Sequence, residues 1–352
     1  KSTTSAMIAH ILENNVKCQM SNVRCRIWLA GNIRTTPMLS IVDRVRPNDW
    51  VVLELSSWHL ENMGEQRISP HVAVVTNLLQ DHLNRYRSMG AYARAKENIV
   101  RYQRDGDIAV LNRENVWTKK MATRTAGRVC WFPIYRGPSS VLQRTVIRKF
   151  GAHYVANAHA AAVACHAIGV PIRIIRSSLR TFRGLPDRQE SIRVVRGVTY
   201  VNDTTATTPD ATIAALQRFS TQGTGDRVQR KIVLICGGTD KNLNYKPLIP
   251  WIKKTCKAVV LLPGAATEKM KIEIKKFRND RSGKLRNYFP NFSVSQFPII
   301  ETSSMRSAVT VASKHAMRGN IILLSPAAAS FGLFQHEFDR GEQFRTIVRR
   351  LT

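Results

Sequence analysis

Four residues at the start of the chain carry the side chains that phosphate binding requires. The sequence opens with Lys1, Ser2, Thr3 and Thr4 and continues into a helical stretch. Lys followed by Ser or Thr at the start of a helix is typical of the end of a P-loop, where backbone N–H groups hold phosphate oxygens, the lysine neutralises charge and the hydroxyl reaches Mg²⁺. No glycines stand before Lys1, so we expect a fragment that begins inside such a loop. By itself the same run also fits an ordinary helix cap.

Possible metal-binding side chains follow two hydrophobic runs. Glu54 ends one run, within the sequence LELSS, and Asp81 and His82 come shortly after the next run. A carboxylate or imidazole at the carboxyl end of a strand, beside a P-loop, is well placed to bind a metal ion or to act as a base. The alternatives are a strand-end carboxylate without a metal and a structural histidine. Lys96 lies fourteen residues after His82 in a helical stretch, and by itself it is typical of a solvated lysine.

Three loops of small or polar residues follow strands in the second half of the chain. They are residues 202–209 (NDTTATTP), 237–241 (GGTDK) and 324–330 (LSPAAAS). Small residues after a strand allow a ligand to approach the backbone closely, and hydroxyl and ammonium groups can bind its polar atoms. For the first loop the alternative is a helix cap by Thr208 or Asp210.

The elements that must position these residues alternate between strands and helices. Short continuous apolar runs predict strands at 49–55, 72–77, 107–112, 231–237, 258–262 and 320–325, and helical spacing predicts helices at 2–14, 89–102, 152–168, 210–219 and 303–316. Continuous apolar runs are typical of parallel strands buried on both faces, so the pattern predicts an α/β fold with parallel sheets. Gly184 and Pro186 interrupt the pattern, which predicts a domain boundary near residue 184.

The composition and net charge of the chain indicate which class of protein it belongs to. The 352 residues are 43% hydrophobic and 22% charged, which is typical of a globular chain, and no apolar run is long enough to span a bilayer. The six cysteines lack CxxC spacing, so we expect reduced, cytosolic thiols. Lys and Arg number 54 against 24 Asp and Glu, a net charge of +30 that would attract polyanions. Because this charge is spread along the whole chain, we expect no dedicated nucleic-acid function.

The order of the motifs resembles the Mur ligase family. KSTT, GN near residue 31, ELSS, TN…DH, AK in the next helix, GxHxxAN, GLPxRxE, NDxxAT, GGxDK and LSPAxASF occur in succession from residue 1 to about 350. GLPxRxE, NDxxAT and LSPAxASF together are most similar to the D-glutamate-adding branch. The resemblance implies a central P-loop-type ATP-binding domain with a mostly parallel sheet (1–183), lacking its first strand and P-loop glycines, and a Rossmann-like C-terminal domain (184–352).

The resemblance also implies a reaction. Family members use ATP to phosphorylate a substrate carboxylate, and an amine then displaces phosphate from the acyl phosphate. Here the substrates would be UDP-N-acetylmuramoyl-L-alanine and D-glutamate, in peptidoglycan precursor synthesis. This chemistry needs positioning and charge neutralisation more than a protein nucleophile. The resemblance further implies two Mg²⁺ ions, a carbamylated lysine, and a cytoplasmic monomer with no membrane partner.

The family's functional residues carry over onto matching positions. Lys1, His82 and Lys96 match catalytic positions, and Lys96 matches the lysine that the family carbamylates. The metal ligands would be Ser2, Glu54, His82 and Lys96. The remaining ATP contacts would be Lys1, Thr3, Asn157, Arg188 and Asp203. The muramoyl and amino-acid substrates would be bound by Asn32, Ser56, Thr207, Lys241, Ser325 and Ser330.

Several residues depart from the family pattern. Asp187 replaces a histidine, Thr205 a lysine that many members carry, Tyr154 an asparagine and Arg34 a glycine, and residues 335–337 lack an Asn–aromatic pair. We therefore keep two alternatives: another Mur-type ligase, such as a folylpolyglutamate synthetase or one that adds a different amino acid, and an inactive relative that serves as a polyanion-binding scaffold. The chain by itself is expected to turn over weakly or not at all.

Overall fold

The computed structural model describes residues 1–18, 25–33, 36–79, 85–133, 146, 151, 154–221, 230–279 and 297–352. The chain divides into two compact units, Lys1–Arg183 and Gly184–Thr352. Both units consist of helices and largely parallel strands, so the predicted α/β fold class is confirmed.

The first unit contains two parallel sheets. Its strands are β1 (Ile27–Gly31), β2 (Trp50–Glu54), β3 (Val72–Val75), β4 (Ile108–Asn112) and β5 (Arg128–Phe132). They pair in the orders β1-β2 and β3-β4-β5. Its helices are α1 (Ser2–Cys18), α2 (Ser57–Glu65), α3 (Met89–Arg101), α4 (Val116–Met121), α5 (Val155–Ala167) and α6 (Ile172–Thr181), with a 3-10 helix at Met38–Arg44.

Strand β4 lies at the centre of this unit's core. All five of its residues are buried. Successive side chains of a strand point to opposite faces, so Ala109 and Leu111 pack towards α3, while Ile108 and Val110 pack towards α5. This burial on both faces is why the sequence of β4 is continuously apolar rather than alternating.

The second unit is a six-stranded sheet with helices packed on both of its faces. Its strands are β6 (Glu190–Val195), β7 (Val198–Asn202), β8 (Ile232–Gly237), β9 (Cys256–Leu262), β10 (Ile299–Glu301) and β11 (Ile321–Leu324). Their order is β10-β9-β8-β11-β7-β6, and only β6 runs antiparallel to its neighbour. The helices are α7 (Pro209–Thr221), α8 (Leu248–Thr255), α9 (Ala265–Asn279), α10 (Met305–His315) and α11 (Glu337–Arg349).

The strand order places three loops together. Strands β8, β11 and β7 are neighbours and parallel, so their carboxyl ends at Gly237, Leu324 and Asn202 lie along one edge of the sheet. Ligands of open α/β sheets bind at this edge. The three loops singled out in the sequence all begin there.

Every strand and helix predicted from the sequence is present, within a few residues at each end. The strands that the apolar pattern did not reveal include β1, β5 and β6. Within the described residues each lies at the edge of its sheet, where most side chains are only partly buried. The sequences of β5 and β6 are also less uniformly apolar, whereas β1 (IWLAG) is apolar throughout and was missed.

Two further sequence expectations concern membranes and thiols. Among the described residues, no helix combines the length and the apolar character needed to cross a bilayer. Cys25, Cys130, Cys165, Cys236 and Cys256 are all free thiols, and the last three are buried. Burial raises the pKa of Cys165 to about 12, so this thiol is an apolar packing group rather than a nucleophile.

Candidate functional site

A cavity of about 580 Å³ in the first unit gathers several of the predicted residues. Lys1 lines it from the start of α1, Glu54 from the carboxyl end of β2, Asn77 from the segment after β3, Lys96 from α3 and Asn157 from α5. Parallel strands bring their carboxyl ends to one edge, which is why residues so far apart in sequence meet here. This group of side chains forms the polar end of the cavity.

Most of the other lining residues are apolar, although Thr4, Ser5, His71 and Thr76 also line the cavity. Its walls include all of β2 and most of β3. Within the described residues, β2 pairs only with β1 and β3 only with β4, so each strand turns an unpaired edge towards the cavity. Trp50, Val51 and Leu53 each remain more than a third exposed. An edge of this kind can accept a further parallel strand, so a polar ligand is expected only at the polar end.

Glu54 is the carboxylate of the polar end. Its residue is 4% exposed, and its Oε2 atom has no hydrogen-bond partner among the described residues. A buried carboxylate oxygen without a partner is costly, so it marks a place where a cation or donor is expected to bind. Oxygen is the ligand that Mg²⁺ prefers, and Mg²⁺ is commonly held by one or two carboxylates together with substrate phosphates. The donor set therefore fits Mg²⁺.

Lys96 is buried rather than solvated. It is 7% exposed, on the face of α3 that also carries Tyr92, Ala93 and Val100. Its Nζ lies 5.8 Å from the centroid of the Tyr92 ring. The expectation from the residue alone was wrong because α3 packs this face against the core, which the alternation of polar and apolar residues did not reveal. Lys96 also lines the cavity, so it belongs to the candidate site.

The start of α1 contributes fewer side chains than expected. Lys1 and Thr4 line the cavity, whereas the side chains of Ser2 and Thr3 are not among its walls. The Thr4 hydroxyl donates to Asn157 Oδ1 at 3.2 Å, which ties the start of α1 to α5. Asn157 is therefore oriented by a residue of the predicted phosphate-binding run.

The other predicted residues of this unit lie elsewhere. Asn32 is exposed, and its backbone N–H donates to the Glu54 carbonyl at 2.7 Å. The Ser56 hydroxyl caps α2 by accepting from the His59 N–H at 3.2 Å. His82, with the adjacent Asp81, lies outside the described residues. The structure thus gathers Lys1, Glu54, Lys96 and Asn157, and it does not gather Asn32 or Ser56 with them.

In the second unit, backbone hydrogen bonds connect the three loops at the carboxyl edge of the sheet. The Ala327 N–H donates to the Ala206 carbonyl at 2.9 Å, and Thr239 and Ala329 exchange two bonds of 3.0 Å. Gly238 allows this contact: its φ is +133°, and an added Cβ would lie 2.3 Å from the Ala329 carbonyl oxygen. A side chain there would separate the loops.

Three predicted substrate residues lie on these loops. Lys241 Nζ donates to the Thr207 hydroxyl at 3.3 Å. Ser330 is 3% exposed, and its hydroxyl has no hydrogen-bond partner among the described residues. An ammonium group and hydroxyls at one strand-end edge are suited to a carboxylate ligand.

Asp203 and Ser325 bind each other. The Ser325 hydroxyl donates to Asp203 Oδ2 at 2.9 Å and lies 3.0 Å from the Thr212 hydroxyl, and the Gln189 N–H donates to Asp203 Oδ1 at 3.1 Å. Ser325 is fully buried and Asp203 is 5% exposed. Burial raises the pKa of Asp203 to about 7, although its hydrogen bonds and Arg188 oppose the rise. Both side chains hold the loops together in this structure.

Two departures from the family pattern contact each other. The Thr205 hydroxyl donates to the Asp187 carbonyl at 3.0 Å. The Asp187 carboxylate accepts from Asn202 Nδ2 at 2.9 Å and from Arg345 Nη2 at 2.8 Å. Asp187 has φ +64°, a left-handed conformation that Asp adopts more readily than most residues. The two substitutions therefore form part of one buried polar cluster.

Two buried arginines of α11 were not predicted. Arg340 is fully buried and binds Thr204 and Ala328, and Arg345 is 6% exposed and binds Asp187. The sequence patterns predicted no helix over residues 337–349 and singled out neither arginine. The one available signal was Gly341 inside the helix, since an isolated glycine there often marks close packing.

Comparison with known proteins follows the same division of the chain. The model of the Mur ligase middle domain matches residues 1–135, and that of the Mur ligase glutamate ligase domain matches residues 187–328. A UDP-N-acetylmuramoylalanine–D-glutamate ligase of Roseiflexus sp. (strain RS-1) is 36% identical over 353 residues, covering 92% of this chain and 70% of that protein. The chain belongs to the Mur ligase family.

Further relatives agree with this assignment. A ligase of the same name from Acetivibrio thermocellus is 35% identical to this Mur ligase, covering 100% of the chain and 72% of that protein. Among solved structures, UDP-N-acetylmuramate–alanine ligase MurC from Thermotoga maritima has a TM-score of 0.63 at 17% identity, covering 99% of this chain and 73% of that one. E. coli FolC in complex with DHPP and ADP has a TM-score of 0.57 at 14% identity, covering 99% and 92%. These two structures support the fold.

Proposed function

We propose that this Mur ligase family member is an ATP-dependent amide ligase that adds D-glutamate to UDP-N-acetylmuramoyl-L-alanine through an acyl phosphate. Its relatives of 36% and 35% identity are named for this activity. The observation that carries the proposal is the unsatisfied Glu54 carboxylate oxygen in the same cavity as Lys1 and Lys96. A carboxylate at the carboxyl end of a strand, with two lysines lining the same cavity, suits a nucleotide triphosphate with its metal ion.

The first unit, in this proposal, is the ATP-binding domain. Lys1 neutralises phosphate charge at the start of α1, where the helix N-terminus also favours anions. Glu54 would hold Mg²⁺, and Ser2 at the start of α1 would be a second ligand. When bound, the metal ion supplies charge stabilisation for the phosphates. Asn157, oriented by Thr4, is available to the adenine base. Thr3 would act through its backbone, since its side chain is buried outside the cavity walls.

Lys96 is proposed to be carbamylated. The reaction joins the unprotonated Nζ to the carbon of CO₂, and the Nζ proton is released to give a carbamate anion. Lys96 is 7% exposed and lines the same cavity as Lys1, whose ammonium group would help to neutralise the new anion. With His82, the carbamate would bind the second Mg²⁺. Incubation with isotopically labelled bicarbonate, followed by carbon NMR, should give a protein carbamate signal that is lost in Lys96→Arg.

The second unit is proposed to bind the incoming amino acid. The ammonium of Lys241 pairs with a carboxylate of D-glutamate, and Thr207 and Ser330 donate hydroxyl hydrogen bonds to its carboxylates. The unsatisfied Ser330 hydroxyl supports this assignment because it is buried without a partner in the described part of the chain. Arg188 would reach ATP, and Asp203 and Ser325 would act by holding the loops, since they bind each other.

The deciding experiment measures phosphate release by the complete natural protein. Release that requires ATP, Mg²⁺, UDP-N-acetylmuramoyl-L-alanine and D-glutamate together is the expected result. Release that requires a different amino acid or acceptor would replace the proposal with another Mur-type ligase. If no combination of substrates gives release, and RNA binds with a steep salt dependence, the scaffold alternative replaces it.

A further inference from the structure

Helix α11 carries two buried arginines that face different parts of the second unit. Arg340 and Arg345 are 0% and 6% exposed. Five residues along a helix correspond to a rotation of about 140° and a rise of about 7.5 Å, so the two side chains leave the helix in different directions. A buried guanidinium is costly unless hydrogen-bonded, and each arginine is bound to a different loop.

Arg340 joins two loops that we call the amino-acid loops, residues 202–207 and 325–330. Its Nε donates to the Thr204 hydroxyl at 3.0 Å and its Nη2 to the Thr204 carbonyl at 2.7 Å. Its Nη1 donates to the Ala328 carbonyl at 3.2 Å. These loops carry Thr207 and Ser330. In the described part of the chain no carboxylate lies within ion-pair distance of Arg340. Its hydrogen bonds therefore fix the positions of the two loops and do not form an ion pair.

Arg345 holds a third loop, residues 184–190, which carries Arg188. Its Nη2 donates to Asp187 Oδ1 and to Glu190 Oε2, both at 2.8 Å. Glu190 Oε2 also accepts from the Asp187 N–H at 2.9 Å, so the loop closes on itself around the guanidinium. On the helix side, Arg345 also binds Glu342.

Gly341 marks where the helix meets both regions. A Cβ added to it would lie 2.6 Å from Asp187 Oδ1 and 2.6 Å from Thr204 Cγ2. The 184–190 loop and the first amino-acid loop therefore both touch the same turn of α11. The two loops are also bonded to each other, since Asn202 and Thr205 donate to Asp187 and the Gln189 N–H donates to Asp203, but each loop is bound by a different arginine.

We propose that Arg340 and Arg345 are separate positioning residues, Arg340 for binding of the amino acid and Arg345 for binding of the nucleotide. The division rests on the proposed function, because that function assigns Thr207 and Ser330 to D-glutamate and Arg188 to ATP. Neither arginine touches a substrate in this role. Each acts through the loop that it holds.

The first test measures hydrogen exchange of backbone amides, which does not depend on activity. Lysine keeps the charge of arginine but cannot bridge several acceptors in a fixed plane. Arg340→Lys should accelerate exchange at Ala327 and Ala329, whose N–H groups bind neighbouring loops, and leave Asp187, whose N–H binds Glu190 within its own loop, unchanged. Arg345→Lys should accelerate exchange at Asp187 and leave exchange at Ala327 and Ala329 unchanged. If both variants accelerate the same amides equally, the proposed division is wrong.

The second test uses phosphate release by the complete natural protein, with each arginine variant as the matched control for the other. Arg340→Lys should raise the KM for D-glutamate at least about tenfold and change the KM for ATP less than about twofold. Arg345→Lys should raise the KM for ATP at least about tenfold and change the KM for D-glutamate less than about twofold. Equal changes in both KM values would overturn the proposal. If wild-type release does not depend on D-glutamate, the proposed function fails, while the exchange experiment still decides whether the arginines act on separate loops.

Milder variants keep the proposal testable if either lysine substitution prevents folding. Thr204→Val removes the hydroxyl that accepts from Arg340 Nε but leaves both carbonyl acceptors. Asp187→Asn removes the charge that faces Arg345 with little change in shape. Smaller effects of the same kind are expected: faster exchange at Ala327 and Ala329 for Thr204→Val, and faster exchange at the amide of residue 187 for Asp187→Asn. Identical exchange patterns in the two variants would overturn the proposal.

Discussion

Replacing Glu54 by Gln should stabilise the chain without Mg²⁺ and weaken its response to Mg²⁺. Glu54 is 4% exposed, and its Oε2 has no hydrogen-bond partner among the described residues. An unsatisfied buried polar group costs about 1–3 kcal/mol, and a charged one costs more. Gln removes the charge and keeps the shape, so we expect the free energy of unfolding of the first unit to rise by about 1–2 kcal/mol in a chelator.

The assay is thermal unfolding in a chelator and in Mg²⁺ with a non-hydrolysable ATP analogue. For a unit of this size, 1 kcal/mol corresponds to about 2–4 °C in the midpoint. A ligand at one hundred times its Kd adds about 2.7 kcal/mol to the wild type. Glu54→Gln should begin with a higher midpoint and gain much less from Mg²⁺ and the analogue.

Glu97→Gln is the matched control in the same unit. Glu97 lies 3.8 Å from Arg124 Nε and 4.0 Å from Arg101 Nη1. Such partly exposed pairs contribute at most about 1 kcal/mol, so this variant should lose a little stability equally in both conditions. If Glu54→Gln also loses stability in the chelator and keeps the full response to Mg²⁺, Glu54 is a structural carboxylate and our reasoning on the metal site is wrong.

Three further predictions test the other assigned residues. Lys96→Arg keeps a cation but cannot form a carbamate, so phosphate release should fall by about a hundredfold or more while the unfolding midpoint stays within a few degrees; retained activity would exclude the carbamate. Ser330→Ala removes a hydroxyl that has no partner in the described residues, so stability should change by less than about 0.5 kcal/mol while the KM for D-glutamate rises about tenfold; an unchanged KM would remove Ser330 from the site. Asp203 has a pKa raised by burial to about 7, so the folded state binds this proton more tightly than the unfolded state. The wild-type free energy of unfolding should therefore fall as pH rises from about 4 to about 7, and urea titrations across this range should show a smaller fall in Asp203→Asn.

The sequence predicted the architecture well because the decisive signal is local. Runs such as that of β4, buried on both faces, are continuously apolar, and the polar loops after β7, β8 and β11 stand out against them. Parallel pairing then brings the strand ends to one edge, so the grouping of Thr207, Lys241 and Ser330 along it follows from topology.

What the sequence could not supply is the environment of individual charges. Lys96 and Arg345 look like solvated residues of amphipathic helices, and only tertiary packing buries them. The hydroxyl of Ser56, which the family resemblance assigns to substrate binding, caps α2, and the apolar pattern gave no indication of this bond. Hydrogen-bond partners of this kind depend on segments far apart in the chain, and the spacing of apolar residues along the sequence does not predict them.

The same physical feature marks the candidate site in both units. Glu54 Oε2 and the Ser330 hydroxyl are buried, follow a parallel strand, and lack a partner within the described residues. Folding alone would favour their replacement, since an apolar residue of similar size would avoid the cost of desolvation. Other buried polar groups at the same strand ends, such as Asp203 and Ser325, are satisfied by each other. Asn15 Oδ1, the Tyr86 hydroxyl and both ring nitrogens of His159 are also buried without a partner among the described residues, so it is the position of Glu54 and Ser330 at or after strand ends that singles them out. Stability measured with and without ligand therefore separates a ligand-binding residue from one that is merely unsatisfied.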